Sequence, residues 1–72
     1  MRKKNVEMDT HHRVPKVRGG KGGSNTIRVR RVLHIAYNQL FSTLDPEGVA
    51  KVLNETWIDP HYKLVAIPRK VN

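Results

Sequence analysis

The stretch TIRVRRVLHIAYNQLFSTL, residues 26–44, contains a change of hydrophobic period that decides the fold. Over residues 26–31, apolar Ile27 and Val29 alternate with basic side chains, which is the two-residue period of a strand with one buried face. From Val32 onward the spacing becomes helical, so we predict a strand followed directly by a helix. The apolar residues that share one face of this helix are Leu33, Ala36, Tyr37, Leu40, Phe41 and Leu44.

The next residues, 45–47 (Asp-Pro-Glu), are typical of the start of a second helix. Aspartate is a good N-cap acceptor, proline suits the first helical position, and an acid in the first turn complements the helix dipole. After a turn at 58–60, residues 62–67 alternate again and end at Pro68, which predicts a second strand.

These elements predict a small α+β domain in the order strand, helix, helix, strand, with the two strands paired. Two helices over a two-stranded sheet make a minimal and marginal core. The residues expected to form that core are Ile27, Val29, Leu33, Tyr37, Leu40, Leu44, Val49, Leu53, Leu64 and Ala66.

Charge is unevenly distributed along the 72 residues, whose formal net charge is +8. The first 31 residues hold ten basic and two acidic side chains, whereas the remainder holds four of each. Residues 1–24 also lack a hydrophobic period and end in a glycine-rich stretch, so they bury too little apolar area to offset the entropy of ordering. We therefore predict a disordered basic arm over residues 1–24 and a compact α+β domain over residues 25–72.

The basic side chains of the arm and of its junction with the domain are the predicted partner-binding residues. Arginines at the junction would sit on a rigid strand, where their guanidinium groups can present paired donors to carboxylates or phosphates. The single tryptophan, Trp57, has two interpretations, a core anchor or an exposed contact for a protein partner. The predicted partner-binding set is Lys16, Arg18, Lys21, Arg28, Arg30, Arg31 and Trp57.

Several classes of function are disfavoured by composition. The chain has no cysteine, its adjacent His11 and His12 lack the spacing of a metal site, and its acids lie where helix caps and turns explain them. We therefore expect no enzyme activity, no cofactor and no bound metal. Because apolar runs are only a few residues long, we also expect no membrane contact and a cytoplasmic location. We expect the protein to be a monomer.

A helix-turn-helix is an alternative for the second half of the chain. Residues 46–54 resemble the first helix and turn of that motif, but Asp59-Pro60 interrupts the position of the recognition helix. A winged variant similar to phage excisionases, with residues 62–67 as the wing, stays open at this point. Direct binding of DNA or RNA, including binding by a basic-tailed ribosome-associated protein, is therefore one of two predicted functions.

The other predicted function comes from a resemblance. In its small size, absence of cysteine, basic flexible arm and small mixed domain, the chain resembles small phage-encoded transcription regulators that bind host RNA polymerase. One such regulator displaces the initiation factor and promotes antitermination. The resemblance implies a non-enzymatic protein in the host cytoplasm whose domain binds an acidic polymerase surface while the arm adds electrostatic attraction.

Overall fold

A computed structural model describes residues 6–70 of the chain. Its main elements are two strands, β1 (Met8–His12) and β2 (Thr26–Arg30), and two α-helices, α1 (Arg31–Phe41) and α2 (Pro46–Val52), with two short 3-10 helices, Lys16–Arg18 and Gly23–Asn25, between the strands. A π-helical turn, Leu53–Trp57, continues α2. The predicted α+β class is confirmed, with two antiparallel strands and two helices.

The partner of β2 is β1, and not the predicted strand at residues 62–67. The strands pair antiparallel from Met8 opposite Arg30 to His12 opposite Thr26. Backbone bonds close both ends of the pair, one from Arg31 N to the carbonyl of Glu7 and one from Arg13 N to the carbonyl of Asn25. The order of elements is therefore strand, strand, helix, helix, and the predicted domain boundary between residues 24 and 25 falls inside a hairpin.

The prediction of a disordered arm is wrong over the described part of residues 1–24, and residues 1–5 lie outside the described range. After β1, the loop from 13 to 25 is held by the side chain of Asn25. Its Oδ1 accepts from Val14 N at 2.7 Å, and its Nδ2 donates to the carbonyls of Val14 and Lys21 at 3.0 and 2.8 Å. Gly20 packs so tightly against the chain that a Cβ there would overlap the Val14 carbonyl oxygen. Glycine is needed here for close packing rather than for flexibility.

Both helices begin where the sequence pattern indicated. α1 follows β2 without a loop and packs on the ribbon that β1 and β2 form. At the start of α2, Oδ1 of Asp45 accepts from Gly48 N at 2.7 Å, which confirms the predicted N-cap. α1 ends at Phe41, three residues earlier than the apolar pattern suggested, and Ser42 turns the chain with a positive φ of 51°.

Within residues 58–70 the chain forms neither helix nor strand, so the predicted strand at 62–67 is wrong. The segment is instead attached to the π-helical turn by Asn54. The Asn54 amide donates to the Leu64 carbonyl at 2.9 Å and accepts from Leu64 N at 2.8 Å. The Asn54 side chain thus makes the two hydrogen bonds to the Leu64 backbone that a neighbouring strand would otherwise make.

The core is smaller than predicted. Among the described residues only Phe41, 8% exposed, is a buried hydrophobic side chain, and its ring centroid lies 5.0 Å from that of Tyr37. Five residues of the predicted core are exposed. They are Ile27, Leu33, Leu40, Leu44 and Leu64. No helix within residues 6–70 is long and apolar enough to cross a membrane.

Candidate functional site

The ribbon of β1 and β2 has two faces with different roles. Paired residues of an antiparallel ladder share a face and successive residues alternate between faces. The face toward α1 carries Asp9, His11, Ile27 and Val29, and those on β1 contact helix side chains. The opposite face, here called the open face, is formed by Met8, Thr10, His12, Thr26, Arg28 and Arg30.

Arg28 and Arg30 form the positive part of the open face, as the strand period predicted. Both are exposed, and they lie opposite Thr10 and Met8 across the ribbon. Two residues apart on one strand, their Cα atoms are separated by about 7 Å. Neither forms an ion pair with any described carboxylate. Two unneutralised guanidinium groups therefore project from a hydrogen-bonded scaffold that fixes their spacing.

Arg31 was predicted to share this binding role, but its guanidinium group is engaged in intramolecular ion pairs with Asp9 and Glu7. Its Nε donates to Oδ1 of Asp9 at 2.9 Å and its Nη1 donates to Oε1 of Glu7 at 3.0 Å. These contacts raise the pKa of Arg31, with the hydrogen bond to Asp9 as the main cause. Arg31 is the first residue of α1, where the helix dipole is positive and a basic side chain is unfavourable. The two carboxylates neutralise its charge there.

Asp9 is the centre of a small polar cluster that joins β1 to α1. Besides Arg31, it binds His34, whose Nδ1 lies 3.0 Å from Oδ2 of Asp9. The hydrogen bond from His34, followed by that from Arg31, lowers the pKa of Asp9. The ring of His11 stacks edge-on against His34 and Tyr37, with centroids 5.2 Å apart in each case. Burial, with His34 as a smaller cause, lowers the pKa of His11.

The basic residues of the hairpin loop do not join Arg28 and Arg30 on the open face. Arg13 and Arg18 line a groove of about 430 Å³ between the loop, α2 and the C-terminal segment. Lys16 lines a second cavity together with His34 and Asn38 of α1 and with Thr10 and His12 of β1. Lys16, Arg18 and Lys21 of the predicted set are all exposed, and Lys16 and Arg18 line different cavities.

Trp57 lies at the end of the π-helical turn and is 59% exposed, so its interpretation as a core anchor is wrong. It is instead available for contact with a partner. The acids nearest in sequence, Glu55 and Asp59, interact with Lys51 and His61. Trp57 therefore belongs to a surface of mixed charge, unlike the positive open face.

Sequence reasoning missed β1 and the polar cluster that fixes it. One signal was present, because Glu7 and Asp9 are the only acids of the first 31 residues and are two positions apart. On a strand that spacing places both carboxylates on one face, where one arginine can bind both. The pattern becomes meaningful only with the partner Arg31, which is more than twenty residues away.

Within residues 6–70, no group of three or more His, Cys, Asp or Glu side chains is arranged to hold a metal ion. Comparison with protein-family models, curated proteins and solved structures found no match to this chain. The positive open face and the exposed Trp57 are therefore the features on which a function can be argued.

Proposed function

We propose that this protein is a non-enzymatic DNA-binding protein that places the open face of its β-ribbon against a duplex. The observation that carries the proposal is the pair Arg28 and Arg30, exposed on a two-stranded ribbon and without a carboxylate partner among the described residues. Arginine is the side chain best suited to this role because its planar fork binds phosphates and guanine edges through two hydrogen bonds.

The dimensions of the ribbon suit a major groove. Strands in a sheet lie about 4.8 Å apart, and the major groove of B-DNA is about 12 Å wide, enough to admit a two-stranded ribbon with its side chains. Thr10, opposite Arg28, supplies a hydroxyl that can donate to or accept from a base edge or a phosphate. The open face thus offers both charge and hydrogen-bonding groups, as ribbon readers of DNA do.

The remaining positive charge favours an anionic polymer over a single acidic site. The net charge is +8, and exposed basic residues of the loop line two cavities that do not include the two arginines of the open face. A polyanion that extends past the ribbon is attracted by all of these charges, whereas a small acidic patch meets only a few. Much of the affinity should therefore come from counterion release.

DNA binding through an excisionase-like winged arrangement is not part of this proposal. It needs a recognition helix after residues 46–54 and a wing at residues 62–67. Residues 58–70 contain neither a helix nor a strand. The DNA contact is assigned to the N-terminal hairpin instead.

The experiment is a fluorescence anisotropy titration of a labelled random-sequence duplex with the 72-residue protein. Arg28→Gln combined with Arg30→Gln should weaken binding at least tenfold, or about 1.4 kcal/mol. The matched control, Lys63→Gln combined with Arg69→Gln, removes the same charge from the C-terminal segment and should weaken binding much less. Equal losses for the two double variants would contradict the assignment to the open face.

The second candidate is the regulator of host RNA polymerase that the resemblance implies. The observation that favours it is the exposure of Trp57, because tryptophans at the centre of protein interfaces contribute strongly to binding. Purified bacterial RNA polymerase without nucleic acid should then bind the wild-type protein. The Trp57→Ala variant should not bind it. Binding that survives Trp57→Ala, or that is absent without DNA, excludes this candidate.

A further inference from the structure

The groove of about 430 Å³ between the hairpin loop, α2 and the C-terminal segment, here called the loop groove, has the lining of a ligand site. Most of the side chains that line it are aliphatic, among them Leu44, Val49, Leu53 and Val65, and none of the described residues that line it is acidic. Cavities that bind small molecules measure about 300–1,000 Å³ and are lined mainly by apolar side chains with a few polar groups. The loop groove meets both criteria.

The two walls of the loop groove that lie outside the helices are held in place by asparagine side chains. On the loop side, the Asn25 side chain binds both backbone groups of Val14, at 2.7 and 3.0 Å. On the C-terminal side, the Asn54 side chain binds both backbone groups of Leu64, at 2.8 and 2.9 Å. The groove is therefore formed before a ligand enters, which reduces the entropic cost of binding.

The charged groups of the loop groove are two arginines, Arg13 and Arg18. Both are exposed, and neither forms an ion pair with a carboxylate of the described residues. A guanidinium group binds a carboxylate through two parallel hydrogen bonds, which are stronger than bonds between neutral groups. Positive charge beside an aliphatic lining suits a ligand that combines a carboxylate with an apolar body.

A neighbouring cavity indicates that this ligand is short. The cavity, of about 510 Å³, shares Arg18, Pro46 and Ala66 with the loop groove, but it is also lined by Asp45 and Glu47. An acidic peptide that extended from the loop groove into this cavity would bring its carboxylates close to these two acids, and like charges repel. A small anion bound in the loop groove alone avoids this repulsion.

We propose that the loop groove binds a small carboxylate with an apolar body, such as a medium-chain fatty acid. Arg13 and Arg18 bind the carboxylate, and the apolar body packs against α2 and the C-terminal segment. The site does not include Arg28 or Arg30 of the open face, so this binding adds to the proposed DNA contact and does not depend on it.

The test is isothermal titration calorimetry of the 72-residue protein with decanoate, below the concentration at which decanoate forms micelles. Decanoate should bind with a Kd below about 1 mM. Decanol has the same apolar body without the charge, and acetate has the charge without the body. Each should bind about tenfold more weakly than decanoate or worse, because each loses one of the two kinds of contact.

Two sets of variants locate the site. Arg13→Gln combined with Arg18→Gln should weaken decanoate binding about tenfold or more, whereas Arg28→Gln combined with Arg30→Gln, which removes the same charge, should leave it unchanged. Val65→Glu places a carboxylate in the groove lining and should also weaken binding. Its matched control is Ile67→Glu, two residues along the same segment and outside that lining, which should bind like the wild type. Circular dichroism checks that each variant is folded, and the arginine pairs decide the result if Val65→Glu is not.

Absence of decanoate binding, or binding of decanol as tight as that of decanoate, would overturn the proposal. Equal weakening by the two arginine pairs would also overturn it, because it would mean that decanoate responds to the overall charge of the protein. Since Arg28→Gln combined with Arg30→Gln should reduce DNA binding and leave decanoate binding unchanged, failure of the DNA proposal and failure of the ligand site are separate results.

Discussion

Replacement of Phe41 by alanine should remove nearly all of the free energy of unfolding. Phe41 is 8% exposed and its ring packs against Tyr37, which in turn contacts His11 of β1. Truncation of a buried phenylalanine to alanine costs about 3–5 kcal/mol, because apolar burial is reduced and a cavity remains. A single core in a chain of this length supplies only about 3–5 kcal/mol in total. The two magnitudes nearly cancel, so Phe41→Ala should be largely unfolded at 25 °C.

The assay is urea denaturation followed by far-ultraviolet circular dichroism, with all variants at one protein concentration. Phe41→Leu keeps most of the apolar volume and should retain a cooperative transition. Ile67→Ala, at a side chain 78% exposed, should change the free energy of unfolding by less than about 0.5 kcal/mol. A Phe41→Ala protein whose transition matches that of Ile67→Ala would mean that the aromatic side of α1 is not the buried side.

The remaining predictions concern pH and the hairpin loop. The free energy of unfolding should fall as pH drops below about 6.5, because burial lowers the pKa of His11 and the unfolded chain then binds the additional proton. A second loss should occur as pH falls below about 4, because the pKa of Asp9 is lowered chiefly by its hydrogen bond to His34. Asp9→Asn should reduce this second loss of the free energy of unfolding, measured by urea titrations at several pH values. An unchanged loss below about pH 4 would contradict the contact between Asp9 and His34. Gly20→Ala should increase amide hydrogen exchange across residues 13–25, because its Cβ would overlap the Val14 carbonyl oxygen, and wild-type protection there would contradict the tight packing.

The features that were predictable from sequence are those set by neighbours along the chain. The alternation of Ile27 and Val29 placed β2, and its period correctly put Arg28 and Arg30 on one face. The Asp45 side chain caps α2 as a local rule requires. In each case the residues that determine the structure lie within a few positions of one another, so no knowledge of the tertiary fold was needed.

The features that were not predictable depend on contacts between distant residues. β1 carries Asp9 and His11 on its inward face, so it has no apolar period, and its position depends on Arg31 and His34 from α1. A glycine-rich composition predicts flexibility, but it does not reveal that Asn25 binds three backbone groups of the loop.

The buried side of α1 was predicted incorrectly for a different reason. Leu33, Leu40 and Phe41 all fit one broad helical face, but of these three only Phe41 is buried. Periodicity alone does not show which part of a broad apolar face is buried in the fold.

The most direct test of the proposed function is the salt dependence of DNA binding. Each phosphate that the protein neutralises contributes about 0.9 to the magnitude of the slope of log K against log salt concentration. Arg28→Gln combined with Arg30→Gln should therefore reduce the magnitude of the slope by about 1.8 when both arginines bind phosphates. Lys63→Gln combined with Arg69→Gln should leave the slope close to that of the wild type. If the two double variants show the same slope, the open face of the ribbon is not where the protein contacts DNA.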